Sequence, residues 1–335
     1  MANPNTYEVS ELDAIVDNVR KIFRDKLSVD PDFFGHDKGV KARISATLDK
    51  NAPKGTLAVP KGIDADSTAG IMRAVDLTIL DHKATEKAVE DVARRAAKEH
   101  CATVCVYPEH VPIVSRIMKE EGVTDVPPIA VVGFPFVAGP TAEVTAQTVQ
   151  QTCDAIADGA KEIDMVLAQD FRENKGNYQD HFKYIKAVVD AAHEKNIPVK
   201  VILETAYLSD QQIAKASVLS KIAGADWVKT STGFAEADKF AKDKGPEEKG
   251  AVPHVVALMR RTVGDSSLDD NGNEKPMGVK QSGGLRTRDQ VVAGYRAGAD
   301  RTGASGGLDV RTEAEKIKGG QSSSVEPKAA GGRGY

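Results

Sequence analysis

The stretch "AGADWVKTST", residues 223–232, contains the two features that decide the fold of this chain. A glycine follows a helical pattern, and a short apolar run typical of a buried strand comes directly after it. The same step occurs in "DGAKEIDMVL", which starts at Asp158, and in "AGADRTGAS", which starts at Ala297. The repeating unit is therefore a helix that ends at a glycine and is followed by a strand. The glycines that end these helices are Gly159, Gly224 and Gly298.

Five further apolar runs have strand character and alternate with helical patterns. They are residues 74–80, 102–108, 128–135, 197–205 and 277–284. Together with the three above they make eight strands, and eight βα units over roughly 250 residues match a TIM barrel. A doubly wound open sheet is the alternative, but the first strand lacks the G-x-G-x-x-G turn that usually follows it in that fold. We therefore predict the α/β class, with a (β/α)8 barrel.

The chain divides into three predicted segments. Residues 1–65 form an N-terminal helical extension and connection, 66–318 the barrel, and 319–335 a flexible C-terminal tail rich in glycine and serine. In the extension, "SELDAIVDNVRKIFRDKL" aligns apolar side chains along one helix face. Such a helix is expected to cover the barrel or to contact another subunit, so a homo-oligomer stays open.

Charge and cysteine content restrict the partners. A net charge of -4 argues against a nucleic-acid surface, and no run of 18 apolar residues predicts a membrane span. The three cysteines form no C-x2-C pair, and no histidine cluster completes a zinc-binding pattern. We therefore expect a cytoplasmic protein with small-molecule partners, no nucleic-acid or membrane partner, no metal and no cofactor.

Lys229 lies in the strand-like run "DWVKTSTGF", where a lone ammonium group would be costly to bury. If its side chain points into the barrel, loss of water favours the neutral amine, which is a nucleophile. The alternative is a lysine that reaches solvent or pairs with a carboxylate. Lys280, in "GVKQSGG", is predicted at the same depth of another strand. Two close ammonium groups would repel each other, so the pair indicates amine chemistry more strongly than either lysine alone.

Two acids are predicted on inner strand faces. Asp164, in "EIDMV", alternates with Glu162, so both face the same way, and it suits either proton transfer or a salt bridge to a barrel lysine. Asp76, in "VDLTIL", is a second inward candidate. It would orient a substrate hydroxyl or a lysine, or form a structural ion pair.

Glycine-rich turns follow the last three predicted strands. They are "STG" from Ser231, "SGGLR" from Ser282 and "GASGG" from Gly303. Glycines leave backbone N–H groups accessible, and the loops after the seventh and eighth strands of a barrel commonly bind phosphate. The sequence therefore predicts an anion site at this end of the barrel.

These motifs, with "CVYP" at Cys105, together resemble the deoxyribose-phosphate aldolases, a family of class I aldolases on a TIM barrel. The resemblance runs in family order from about residue 70 to 307. It implies that Lys229 forms a Schiff base, that the charge of Lys280 helps Lys229 to lose its proton, and that Asp164 relays protons. Asp76 is a further catalytic candidate. Tyr335 matches a C-terminal tyrosine that acts as a proton shuttle in some members.

The resemblance also implies a set of substrate-binding residues, most of them in the glycine turns. They are Thr78, Thr230, Gly233, Gly283, Gly284, Arg286, Gly303, Ser305 and Gly306. Phe234 departs from the family pattern, because many bacterial members carry a lysine there, and its presence removes one positive charge near the phosphate loops.

The expected activity is the reversible cleavage of 2-deoxy-D-ribose 5-phosphate to acetaldehyde and D-glyceraldehyde 3-phosphate through a lysine Schiff base. Two alternatives stay open at the level of sequence. Another Schiff-base barrel enzyme, similar to a transaldolase, would share the lysine but use a ketose donor. A non-catalytic phosphosugar-binding protein would keep the glycine turns and lack turnover.

Overall fold

The computed structural model describes residues 9–49, 57–173, 177–242, 244–245, 248, 250–312 and 315–316. Within them, eight parallel strands close into a barrel in the order β1-β10-β9-β6-β5-β4-β3-β2. The closed barrel confirms the predicted fold and excludes the open sheet. The barrel strands are β1 Val75–Thr78, β2 Thr103–Val106, β3 Pro128–Val132, β4 Glu162–Val166, β5 Val199–Ile202, β6 Trp227–Lys229, β9 Gly278–Ser282 and β10 Arg301–Ser305.

Seven helices alternate with these strands in the described residues, and three more precede β1. The first three are α1 Val9–Val29, α2 Lys38–Leu48 and α3 Thr68–Met72. The others are α4 Glu86–Glu99, α5 Val111–Glu120, α6 Ala142–Ala157, α7 Tyr178–His193, α8 Asp210–Ile222, α9 Pro253–Val263 and α10 Arg288–Arg296. None of the described helices is both long and apolar enough to span a membrane.

The helix boundaries follow from local sequence signals. Ser209 and Thr287 each cap a helix through a capping box with a glutamine three residues later, at the starts of α8 and α10. The three glycines expected to end helices all have a positive φ, which a residue without a Cβ adopts at little cost. The φ angles are 113° at Gly159, 97° at Gly224 and 99° at Gly298. Each of these glycines ends a helix, and the next strand, β4, β6 or β10, begins three residues later.

The N-terminal extension packs on the outside of the barrel. Helix α1 contacts α8 and α9, and residues 213–222 of α8 are buried throughout. Arg43 in α2 donates hydrogen bonds to the carbonyl oxygen of Ile222 at 2.8 Å and to Asp270 at 2.7 Å. Arg261 in α9 donates to Asp13 at 2.9 Å. These contacts agree with the expected covering role of the amphipathic helix.

A two-stranded antiparallel hairpin between α9 and β9 was not predicted. It consists of β7 Ser266–Leu268 and β8 Glu274–Pro276, joined by a turn in which Gly272 has a φ of 83°. Its strands are three residues long and mostly polar, so periodicity gives no signal for them. The hairpin packs against α2 and therefore belongs to the surface that the extension covers.

The predicted C-terminal tail, residues 319–335, lies outside the described residues.

Candidate active site

The inner face of the barrel carries the two lysines predicted from the sequence. Strand β6 pairs directly with β9, and the register places Lys229 opposite Lys280. Both side chains are almost fully buried, at 2% exposure for Lys229 and 0% for Lys280. The predicted equal depth of the two amines is confirmed.

Asp164 joins the two amines. Its Oδ2 accepts a hydrogen bond from Lys229 Nζ at 2.9 Å and another from Lys280 Nζ at 2.8 Å. The side chain of Asp164 is completely buried. We call Lys229, Lys280 and Asp164 the upper cluster. Asp164 and Lys280 lie in the middle of their strands, and Lys229 is the last residue of β6. The structure thus brings all three predicted residues together around one carboxylate oxygen.

Asp76 faces the same interior from β1. Its Oδ2 lies 2.5 Å from Lys280 Nζ, and its Oδ1 accepts a hydrogen bond from Arg301 at 2.8 Å. Asp76 therefore pairs with both Lys280 and Arg301, and Lys280 has two carboxylate partners, Asp76 and Asp164.

A second group of charges lies nearer the amino ends of the strands, and Asp76 is the member of it for which the sequence predicted a role. Lys200 in β5 forms an ion pair with Glu162 and lies 3.2 Å from Asp164 Oδ1. Arg301 and Lys200 both lie over the Trp227 ring, at 5.2 and 5.9 Å from its centroid. We call Lys200, Glu162, Arg301, Asp76 and Trp227 the lower cluster. The period-2 pattern of "VKVI" and "RTGAS" could have shown that Lys200 and Arg301 face inward.

The buried ion pairs set the charge of these groups. Burial would raise the pKa of Asp164, but Lys200, Lys229 and Lys280 outweigh it and hold that pKa well below its ordinary value. Burial would lower the pKa of Lys280, but Asp164 and Asp76 raise it above its ordinary value. Asp164 is therefore a carboxylate and Lys280 an ammonium ion at neutral pH.

Gly303 makes room for Lys280. A Cβ built on Gly303 would lie 3.0 Å from Lys280 Cε and 2.9 Å from Ser282 Oγ, closer than side-chain atoms normally pack. Gly303, the first glycine of "GASGG", is thus needed inside the barrel, in addition to the predicted role of this motif in a loop.

The predicted glycine turns lie at the carboxyl ends of adjacent strands, which we call the mouth of the barrel. Gly233 follows β6 with a φ of 93°, and Gly283 and Gly284 follow β9 with φ values of 100° and 75°. Ser305 ends β10, Gly306 comes directly after it, and Arg286 follows the β9 turn. Because β6, β9 and β10 are neighbours in the barrel, the three turns meet at one part of the mouth.

The two threonine candidates are engaged within the protein. Thr230 Oγ1 donates to the carbonyl oxygen of Ser282 at 2.8 Å and accepts from its N–H at 2.9 Å, so this hydroxyl ties β6 to β9. Thr78 Oγ1 donates to the carbonyl oxygen of Asp76 at 3.0 Å. Thr78 ends β1 and is half-buried, whereas Thr230 is fully buried.

A group of apolar residues, which we call the apolar wall, lies beside the first glycine turn, because Phe234 directly follows Gly233. Cys105 packs with Tyr107 in one buried cluster, and Phe134 and Phe234 pack against that cluster. Phe134 meets Phe234 edge-on at 5.3 Å between ring centroids. Burial raises the pKa of the Cys105 thiol, so the protonated form is favoured. Phe234 therefore belongs to this wall.

Glu204 is a buried carboxyl group that sequence reasoning missed. It follows β5 with a left-handed φ of 53° and is 6% exposed. Its Oε2 accepts hydrogen bonds from the N–H of Thr232, at 3.2 Å, and from the Thr232 hydroxyl. Burial raises the pKa of Glu204, opposed by these hydrogen bonds. Glu204 thus anchors the turn that follows Lys229.

Tyr335, the C-terminal tyrosine that the resemblance implies as a proton shuttle, lies outside the described residues.

The family model of the DeoC/LacD aldolases matches residues 71–312. The deoxyribose-phosphate aldolase of Clostridium botulinum (strain ATCC 19397 / Type A) is 40% identical over 240 residues, which are 72% of this chain and 98% of the relative. That of Macrococcus caseolyticus is 39% identical over 249 residues, 74% of this chain and 98% of the relative.

Solved structures give a similar result. A protein from Coccidioides immitis, provisionally assigned as a deoxyribose-phosphate aldolase, superposes with a TM-score of 0.63 at 30% identity, over 91% of this chain and 97% of its own. The deoxyribose phosphate aldolase of Aeropyrum pernix, described as tetrameric, gives a TM-score of 0.59 at 26% identity, over 75% of this chain and 92% of its own. The match to the Coccidioides immitis chain extends beyond the barrel.

Proposed function

Because the chain belongs to the DeoC/LacD family of aldolases, we propose that it cleaves 2-deoxy-D-ribose 5-phosphate reversibly to acetaldehyde and D-glyceraldehyde 3-phosphate through a Schiff base on Lys229. The observation that carries the proposal is the upper cluster, in which Lys229 and Lys280 share one buried oxygen of Asp164. The neighbouring glycine turns support a phosphorylated substrate.

In the proposed reaction, the neutral amine of Lys229 attacks the C1 aldehyde of the substrate, and loss of water gives a protonated imine. The C3 hydroxyl then loses its proton to Asp164, through water and Lys280. The electrons of the C2–C3 bond move to C2 and form an enamine on Lys229, while C3 leaves as the aldehyde of glyceraldehyde 3-phosphate. Protonation of the enamine at C2 and hydrolysis of the imine release acetaldehyde and restore the amine.

The ion pairs of the barrel interior support Lys229 as the nucleophile. Lys280 pairs with Asp76 as well as with Asp164. Lys200 likewise lies within ion-pair distance of two carboxylates, one of them Asp164. The ion pair of Lys229 is with Asp164, which the other two lysines share, so Asp164 keeps two cationic partners when Lys229 reacts.

At the mouth, the backbone N–H groups of the glycine turns and Arg286 are proposed to hold the phosphate. With the phosphate held there, C1 of the sugar lies next to the amine of Lys229. The attack on C1 is then effectively a unimolecular step. Charged phosphosugars do not cross membranes unaided, so this substrate fits the cytoplasmic location expected from the sequence.

The proposal is tested by incubating the protein with 2-deoxy-D-ribose 5-phosphate and measuring acetaldehyde and glyceraldehyde 3-phosphate separately. We expect both products in equal amounts from the wild type and neither from Lys229→Met. Arg116→Met, a change on the outer ion network of α4 and α5, serves as the control and is expected to keep wild-type turnover. Wild-type protein that binds the phosphosugar without releasing either product would contradict the proposal.

A further inference from the structure

The connection from β6 to α9, residues 230–252, is long for a barrel loop, and the proposed mechanism uses only its first residues. Its described part is fixed to the preceding βα connection. The N–H of Ala241 donates to the carbonyl oxygen of Ala206 at 3.0 Å, and the N–H of Glu236 donates to the Tyr207 hydroxyl at 2.8 Å. The connection therefore has defined contacts with the barrel on this side.

An ion-pair anchor holds the middle of the connection. Lys244 Nζ lies 2.8 Å from Asp210 Oδ1, at the start of α8, and 3.3 Å from Glu248 Oε2. The Lys244 side chain is 3% exposed, and His254 packs behind the same two carboxylates. Removing a buried lysine from two carboxylate partners leaves their charges unpaired, which costs far more than breaking an exposed ion pair.

The far end of the connection meets the glycine turn after β9. The N–H of Ala251 donates to the carbonyl oxygen of Gly283 at 3.0 Å. A Cβ added to Gly250 would overlap that oxygen, and a Cβ added to Gly283 would lie 3.1 Å from Gly250 Cα and 3.2 Å from Ser231 Cβ. Gly250 and Gly283 can therefore approach each other only because both lack side chains.

This contact fixes the orientation of one peptide group in the turn. In a trans peptide the C=O and the following N–H point in opposite directions. Since the Gly283 carbonyl points toward Ala251, the N–H of Gly284 points away from the connection. Gly284 has a positive φ of 75°, a conformation that a glycine adopts at little cost. The connection thus sets the direction of a donor in the proposed phosphate site.

We infer that Gly250 is a positioning residue for the phosphate end of the substrate, and that Lys244 holds the connection in the place where Gly250 can act. This inference rests on the proposed function. It adds a specificity element that lies outside the glycine turns and is carried by the β6–α9 connection of this chain. Gly250 acts through the Gly283–Gly284 peptide and does not contact the reacting atoms.

The test compares 2-deoxyribose 5-phosphate with unphosphorylated 2-deoxyribose. Gly250→Ala is expected to raise KM for the phosphorylated sugar about tenfold, the effect of losing one hydrogen bond to a charged group, with a smaller change in kcat. For the unphosphorylated sugar, kcat/KM is expected to change much less. A purely structural defect would lower kcat/KM for both substrates alike, and that result would overturn the inference.

Lys244→Met provides a second variant that does not crowd the glycine turn, and Lys242→Met is its matched control. Lys242 lies on the same connection and is exposed. We expect Lys244→Met to raise KM for the phosphorylated sugar in the same direction as Gly250→Ala, and Lys242→Met to behave as the wild type. Equal KM values for the Lys242 and Lys244 variants would overturn the anchoring role.

Trapping of acetaldehyde on the wild-type protein with borohydride separates this inference from the proposed function. Acetaldehyde has no phosphate, so its trapping reports only the amine chemistry. Failure of trapping in the wild type would count against the proposed function and remove the basis of the inference with it. Normal trapping in both variants, together with unchanged discrimination between the two sugars, would contradict the inference alone.

Discussion

The upper and lower clusters are built from the same kinds of residue, yet their lysines differ in the number of carboxylate partners. In the lower cluster, Lys200 lies within ion-pair distance of two carboxylates, Glu162 and Asp164. In the upper cluster, Lys280 also has two, Asp76 and Asp164. The ion pair of Lys229 among the described residues is with Asp164, which therefore keeps two cationic partners if Lys229 loses its charge. The difference indicates that the number of buried carboxylate partners, more than burial itself, separates a reactive lysine from a structural one.

Asp164→Asn breaks the upper cluster and should have the largest effect. The amide keeps the shape of the side chain but cannot accept a proton from the substrate, and it leaves the lysines without their shared charge. We expect kcat for cleavage to fall by about 10²- to 10⁴-fold, the usual contribution of a general base. Glu162→Gln removes a carboxylate of the lower cluster and is the matched control, with a much smaller loss of kcat. Similar losses of kcat in the two variants would contradict the assignment of the chemistry to the upper cluster.

Arg301→Met breaks the lower cluster and should act mainly on stability. It removes one of the two cationic partners of Asp76 from a buried site, which is expected to lower the free energy of unfolding by about 3 kcal/mol. Denaturant unfolding measures this change. The kcat of the remaining folded protein should fall less than in Asp164→Asn, and an unchanged stability with lost turnover would assign Arg301 to the chemistry instead.

Stability should also depend on pH through the same residues. The pKa values of Asp76 and Asp164 are held below their ordinary values in the folded protein, by Lys280 and Arg301 for Asp76 and by three lysines for Asp164. Their contribution is therefore fully present above the pKa of an unfolded aspartate, about 3.9, and is lost as the pH falls toward the folded values. Asp164→Asn is expected to unfold with a shallower acid dependence than the wild type.

Lys280→Leu tests how the two amines of the upper cluster influence each other. Without the Lys280 charge, the protonated form of Lys229 is less disfavoured, so a higher pH is needed to obtain the neutral nucleophile. We expect the pH-rate profile to move to higher pH and the rate near neutrality to fall by about tenfold, the effect of one pH unit. Lys200→Leu in the lower cluster should move the profile less. A profile that stays in place in an active Lys280 variant would mean that Lys280 does not set the reactivity of Lys229.

Phe234→Lys should have the smallest effect, because it adds a cation at the half-exposed mouth above the upper cluster. Attraction to a phosphate in such a place is worth about 1 kcal/mol, so KM for the phosphorylated sugar should improve up to several-fold. The unphosphorylated sugar serves as the control. The substitution also removes the edge-on contact with Phe134, and an equal change in KM for both sugars would attribute the effect to the apolar wall.

The upper cluster could be predicted from the sequence because its residues fall in motifs with strong alternation and in family order. Asp164 lies between two apolar neighbours, and Lys229 and Lys280 each follow a valine, so their inward direction followed from the period of a strand. The same reasoning applied to Lys200 would have found it, but a lysine in a strand without a recognised partner is usually one that reaches solvent.

Other features depend on contacts that are distant in the sequence. The pairing of Arg301 with Asp76 joins residues 225 positions apart, and Glu204 binds Thr232 across 28 positions. The hairpin of β7 and β8 is too short for periodicity to show it. The close approach of Gly250 to Gly283 depends on the path of the whole β6–α9 connection, which no local pattern describes.

The most direct test is the site at which acetaldehyde is trapped. The protein is incubated with acetaldehyde and borohydride, digested, and the modified peptide is identified by mass spectrometry. We predict an ethyl group on Lys229, in the peptide that contains "TSTGF", and none on Lys200 or Lys280. Modification of Lys280 in place of Lys229, or of the three buried lysines alike, would contradict the claim that the lysine with fewer carboxylate partners is the nucleophile.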